Sequence, residues 1–158
     1  MIQIAVGRNP AETLVLELLK SMEDGNLHVR IPELCTPDFV WANSGLPTIR
    51  SQSELFEHLK NGGFSRLIPI LTSMTHFSAD LIHIASDANV VFTERVDHHW
   101  DALGHDLMTP HICGMAEIRD GKISAFRDFY DTSCYAQAPT AIQPEFTLAN
   151  LLRQRSLR

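Results

Sequence analysis

The chain has 158 residues and a formal charge of −6, with 44% hydrophobic and 20% charged residues. These are ordinary proportions for one globular domain large enough to bury a core. The acidic balance excludes a typical nucleic-acid partner, which needs clustered Lys and Arg. The only basic concentration is the tail RQRSLR.

No stretch approaches the apolar length of a membrane span. MIQIAVGRNP lacks the basic start and long apolar run of a secretory signal. Cys35, Cys113 and Cys134 are odd in number, widely spaced and outside CxxC pairs, which fits a reduced, cytoplasmic setting. Without repeats or low-complexity linkers, residues 1–158 read as a single domain, with 136–158 as an extended tail, expected either as a helix at the pocket mouth or as a dimer contact.

In chain order, helices come first. NPAETLVLELLKSMEDGN has Asn9 as a cap, Pro10 at the first helical position and Glu12 three residues after the cap. Leu14, Leu16, Leu18, Leu19 and Met22 give it a wide apolar face. NLHVRIPELC predicts a second short helix that Pro32 interrupts or kinks. DFVWAN reads as a strand, SGLP as a turn, and SQSELFEHLKNGG as a helix with a Ser51–Glu54 capping box and a Gly62–Gly63 stop.

From about residue 70 the character changes. MTHFSADLIHIAS, ANVVFTERVDHHWDA, HDLMTPHICGMAEIR and KISAFRDFYD are rich in β-branched and aromatic residues and are separated by SDAN, ALGHD and DG. That pattern predicts a meander of long antiparallel strands, with TLANLLRQR as a last short helix. Helices first and a sheet last indicate an α+β domain. A curved sheet closed by the N-terminal helices makes a cone with an internal pocket, which suits long strands carrying polar residues inward.

Period-2 alternation puts Val91, Thr93, Arg95, Asp97 and His99 on one face of their strand, and Phe92, Glu94, Val96 and His98 on the other. On the last strand Ser124, Phe126, Asp128 and Tyr130 share a face, while Asp131 has the opposite parity and reads as structural. An Arg-x-Asp on a strand is either a surface ion pair of little worth or part of an inward site. Parity alone leaves both open. His98 and His99 point apart, HExxH is absent, and no metal site is expected; His99 is placed near a rim and His98 outside. GxSxG, P-loop and dinucleotide fingerprints are also missing.

TERVD, followed by DGKISAFRDFYD, resembles the limonene-1,2-epoxide hydrolase family. That family carries an Arg-x-Asp on one strand and an Arg-Asp-aromatic-aromatic-Asp run on its last strand, just after a Gly-Lys-Ile turn. A third piece, an aromatic, one residue and an asparagine, is here Trp41-Ala42-Asn43. The resemblance covers roughly residues 10 to 135 and implies a nuclear-transport-factor-2-like cone, typically dimeric.

Carried over, Asp128 resembles the general base that draws a proton from water, with Asn43 positioning that water. Asp97 resembles the general acid at the epoxide oxygen, and Arg95 the arginine between the two acids. The family has tyrosine where this chain has Trp41, whose indole donates a hydrogen bond but cannot accept one. Leu19, Met22, Met108, Pro110, Ile112 and Phe126 are expected in the pocket wall.

Epoxide opening needs water made nucleophilic at carbon and a proton delivered to oxygen, which one carboxylate and one carboxylic acid supply. The expected reaction is one-step hydrolysis of a small apolar epoxide to a vicinal diol, without metal, nucleotide or other cofactor. The alternatives are a SnoaL-like polyketide cyclase or ketosteroid-isomerase-like acid–base enzyme, and a non-catalytic binding module.

Overall fold

The computed structural model describes residues 1–156. Asn9 sets the first helix, α1 (Pro10–Glu23): its side chain accepts from the Glu12 N–H at 3.0 Å, and Pro10 occupies the first turn. The second helix, α2 (Leu27–Leu34), runs past Pro32. The one bond Pro32 cannot donate would go to the carbonyl of His28, an exposed residue whose carbonyl water can satisfy. In α3 (Gln52–Lys60) Ser51 caps the Glu54 N–H at 3.0 Å, and the Glu54 carboxylate reaches back to the Arg50 N–H at 2.7 Å.

The strands are β1 (Cys35–Asn43), β2 (Met74–Asp87), β3 (Val90–Asp101), β4 (His111–Arg119) and β5 (Lys122–Phe129), arranged β1-β5-β4-β3-β2. β2 to β5 form the expected antiparallel meander, and β1 joins its far edge parallel to β5. β1 begins earlier than DFVWAN. A register shift between Cys35 and Val40 accommodates Pro37, which has no N–H for a ladder. The β4–β5 turn is made by Asp120 and Gly121, both at positive φ (53° and 73°), the primed-turn geometry that an Asp-Gly pair adopts.

β4 corrects an expectation, because it starts only at His111. Residues 102–110 form a loop that folds back over the end of β3. Leu107 N–H donates to the His99 carbonyl at 2.8 Å, and Asp97 N–H to the Pro110 carbonyl at 3.1 Å. Met108 and Pro110 therefore stand on this loop and not on a strand; Pro110 cannot donate to a ladder. α4 (Leu148–Ser156) is the expected last helix. The tail leading to it stacks Phe146 on Trp100, ring centroids 4.2 Å apart and planes 10° apart. No residue of the described tail is among those lining the cavity. The reason is parity: Trp100, its anchor, is an even residue of β3, on the face opposite Arg95 and Asp97.

α1 lies on the inner face of the sheet. Val15, Leu16, Leu18 and Leu19 pack with Ala79, Val91, Ala116, Ile123 and Phe126. Two buried glutamates fasten it at both ends. Glu23 accepts from the backbone N–H groups of Ile2 and Ala79, each at 3.0 Å. Glu12 accepts from the Arg8 N–H at 2.9 Å, Arg8 Nη2 at 3.0 Å and Ser86 Oγ at 2.9 Å.

The Arg8 guanidinium, outweighing the cost of burial, lowers the Glu12 carboxyl from its ordinary 4.5 to about 2. A depressed folded pKa gives stability that is full above the unfolded value and lost as pH falls through the folded one. Glu12→Gln is therefore expected to melt below the parent at neutral pH, with the gap closing as pH falls from 4.5 towards 2. Melting temperatures across that window test this; a gap independent of pH would refute it.

Candidate active site

The inner face of β3 presents Thr93, Arg95, Asp97 and His99. β4 sets Ile112 opposite Arg95 and Gly114 opposite Thr93, and β5 sets Asp128 opposite Gly114. Arg95 is 1% exposed, Asp97 and Asp128 5% each. The guanidinium grips Asp97 with two bonds, Nε to Oδ1 at 2.8 Å and Nη2 to Oδ2 at 3.2 Å. Nη2 also donates to Asp128 Oδ2 at 2.6 Å, and Nη1 to Thr93 Oγ1 at 3.1 Å. The Phe126 ring lies 5.4 Å from the guanidinium carbon, within cation–π range. One arginine thus bridges two acids from different strands in a buried setting.

Gly114 makes room for this junction. A Cβ there would lie 2.5 Å from Arg95 Nη1, 2.5 Å from Thr93 Oγ1 and 2.9 Å from Asp128 Oδ1. Displacing reacting groups by about 1 Å costs on the order of a hundredfold in rate. Gly114→Ala is expected to lose about that much turnover; kinetics indistinguishable from the parent would show that the junction gives way harmlessly.

Burial raises both Asp97 and Asp128 above their ordinary carboxyl range, and it outweighs the opposing pull of Arg95. Arg95 itself stays charged, because Asp128 and Asp97 together overcome the burial that disfavours its cation. A buried cluster of one cation and two anions carries a net charge of minus one. Taking up one proton makes it neutral, which a low-dielectric setting favours. Uptake of one proton gives one carboxylate, one carboxylic acid and one guanidinium, with the proton belonging to the pair.

The junction forms part of the wall of a cavity of about 750 Å³ between the sheet and α1–α3. Of the residues expected at the site, Arg95, Asp97, Asp128, Asn43, Trp41, Met22, Met108, Pro110 and Ile112 all line it. Leu19 and Phe126 do not; both are core residues behind the wall, 0% and 1% exposed. Only the last turn of α1, at Met22, reaches the opening, and Phe126 is covered by Arg95. Apolar walls also come from Phe56, Leu59, Phe64, Ile68 and Phe77. Such pockets, apolar with a few convergent polar groups, are usual for small-molecule sites.

Trp41 Nε1 and Asp128 Oδ1 are buried without a hydrogen-bond partner. Asn43 lies directly opposite Asp128 in the parallel β1–β5 register. Its Oδ1 accepts a long bond, 3.5 Å, from the Tyr130 hydroxyl, which is also 2.9 Å from the Tyr135 hydroxyl. Tyr130 and His99 line the cavity as well. Parity put Tyr130 on the correct face, but only the tertiary structure joins it to Asn43. His99 corrects the expected rim position: loop 102–110 closes over it. Among the described residues, no three or more His, Cys, Asp or Glu side chains are grouped so as to hold a metal ion.

A match to the limonene-1,2-epoxide hydrolase catalytic domain extends over residues 10–138. The chain belongs to the limonene-1,2-epoxide hydrolase family. An LEH-like epoxide hydrolase from M. tuberculosis superposes with a TM-score of 0.64 at 21% identity, covering 80% of this chain and 82% of that one. A putative SnoaL-like polyketide cyclase from a Jannaschia species gives 0.60 at 12% identity, over 82% and 94% of the two chains. An NTF2-like protein of unknown function from Cytophaga hutchinsonii gives 0.60 at 12%, over 80% and 95%. At these identities the structures establish the shared α+β cone architecture.

Proposed function

We propose that this chain is a cofactor-independent epoxide hydrolase that adds water to an epoxide in one step and releases a vicinal diol. The observation that carries the reading is the Asp97–Arg95–Asp128 bridge in the wall of an apolar cavity. A packing role would not call for two buried acids on one cation. Acid–base hydrolysis does require two carboxyl groups in different protonation states at one pH.

Asp128 is the base. Its Oδ2 is held by Arg95, while Oδ1 has no protein partner; Asn43 stands opposite Asp128 in the β1–β5 register, and Trp41 lines the same cavity. Asn43 and the Trp41 indole N–H hold the water. Asp97 is the acid: burial favours its neutral form, and the nearby Glu23 carboxylate adds to that effect. Water gives a proton to Asp128 as its oxygen attacks carbon; the C–O bond breaks and the epoxide oxygen takes the Asp97 proton. One proton has moved from Asp97 to Asp128, so the cluster keeps its charge throughout the step. The attacked carbon is inverted.

Incubation with limonene oxide and cyclohexene oxide is expected to give diols; no turnover across a panel of apolar epoxides would overturn the reading. A single turnover in isotope-labelled water should place the label in the diol, whereas label appearing first in the protein would exclude one-step attack. A cytoplasmic setting and a homodimer belong to the same proposal. The dimer is supported by Phe92 and Phe129, 44% and 54% exposed on the outer sheet face. A monomer in sedimentation would remove that part.

A further inference from the structure

His99 is a polar group in the cavity wall that the hydrolytic step does not use. It follows Asp97 by two residues on β3, so both side chains face the cavity, about 6.8 Å apart along the strand. Its ring meets the Phe77 ring edge-on, centroids 5.6 Å apart. Nδ1 lies 2.9 Å from the Met108 carbonyl oxygen. A carbonyl only accepts, so Nδ1 carries the ring proton and Nε2 keeps its lone pair.

The surrounding backbone holds this arrangement. His99 N–H donates to Asp106 Oδ1 at 3.1 Å, and the His99 carbonyl accepts from Leu107 N–H at 2.8 Å. Loop 102–110 therefore fixes both the ring and its tautomer. Burial pushes the imidazole down to about 4, against the opposing effects of the Met108 carbonyl and Asp106, so it is neutral at physiological pH. The residue is half-buried and lines the cavity.

A neutral, oriented acceptor set in a wall of Phe77, Met108 and Pro110 is ill suited to a pure hydrocarbon, which would strip its water and offer nothing in return. We propose that His99 Nε2 accepts a hydrogen bond from a substrate hydroxyl, so that this site prefers epoxides carrying an alcohol about two strand residues from the ring oxygen. The size of the cavity agrees, because about 750 Å³ lies in the range that encloses drug-sized ligands. The catalytic part of this assignment rests on the epoxide-hydrolase reading; the binding part does not.

Two probes test it: a straight-chain eight-carbon terminal epoxide, and the same epoxide with a hydroxyl on its far end. The parent is expected to favour the hydroxylated probe in kcat/KM by at least about tenfold. His99→Leu should reverse that order, and His99→Gln, which retains an acceptor, should keep part of it. The corresponding diols, plain and far-hydroxylated, are then titrated calorimetrically into the parent and the two variants. This needs no turnover. Tighter binding of the hydroxylated diol by the parent, lost in His99→Leu, supports the acceptor even if neither epoxide is hydrolysed. Equal kcat/KM for the two epoxides, or equal affinity for the two diols, overturns it while leaving the hydrolase reading intact.

Discussion

Asp128→Asn is expected to lower turnover of an apolar epoxide by roughly 10²- to 10⁴-fold, the usual contribution of a positioned general base, with the fold intact. The amide matches the carboxylate in shape, and its oxygen can still accept from Arg95 Nη2, now 2.6 Å from Asp128 Oδ2. What disappears is a group able to take a proton from water. Stability should not suffer. The folded pKa of Asp128 is raised above 3.8, so its contribution is full below 3.8 and lost as pH rises through the folded value. Asparagine avoids that loss and leaves Arg95 balanced by Asp97. Asp131→Asn is the control: this exposed residue caps the Ser133 N–H at 2.9 Å, outside the cavity lining, and should turn over normally. A folded Asp128→Asn protein with near-parental kcat would remove Asp128 from the base role.

Much of this site was legible because it depends on local rules. Strand parity alone put Arg95 and Asp97 on one face, and the Asp120–Gly121 turn set the register that brings Asp128 beside them. The Asn9 and Ser51 caps were readable for the same reason. Choosing the inward face required the family resemblance, since parity does not distinguish a cavity from solvent. What stayed hidden is tertiary. The parallel pairing of β1 with β5, which brings Asn43 to Asp128, joins segments far apart in the chain. The run Leu107–Met108 reads as strand, yet both residues pack with Ile68 and Leu71 in a second core cluster at the foot of the cavity. That fold-back encloses His99, which parity faced inward but could not enclose. Leu19 and Met22 sit on neighbouring turns of one helix, and nothing in their spacing tells core from cavity.

Arg95→Met tests the junction from the cation side, and its expected effects on stability and on rate depend differently on pH. Methionine is apolar and unbranched, so it occupies much of the space; what is lost is the charge bonded to both Asp97 and Asp128. Breaking a buried pair by removing one partner costs about 3–5 kcal/mol at neutral pH. The cost must depend on pH. Both carboxyls already have folded pKa values raised above 3.8, and removing Arg95 takes away the influence that opposed the rise. A raised folded pKa gives stability that is full below the unfolded value and is lost as pH rises through the folded one. The deficit of Arg95→Met relative to the parent should therefore be small near pH 4 and widen towards about pH 8, measured by urea unfolding at several pH values. A constant deficit would mean that packing, not charge, is at stake. Catalysis should at first move the other way. With both acids neutral there is no base, so residual turnover should rise with pH as Asp128 ionises and fall again once Asp97 has also lost its proton.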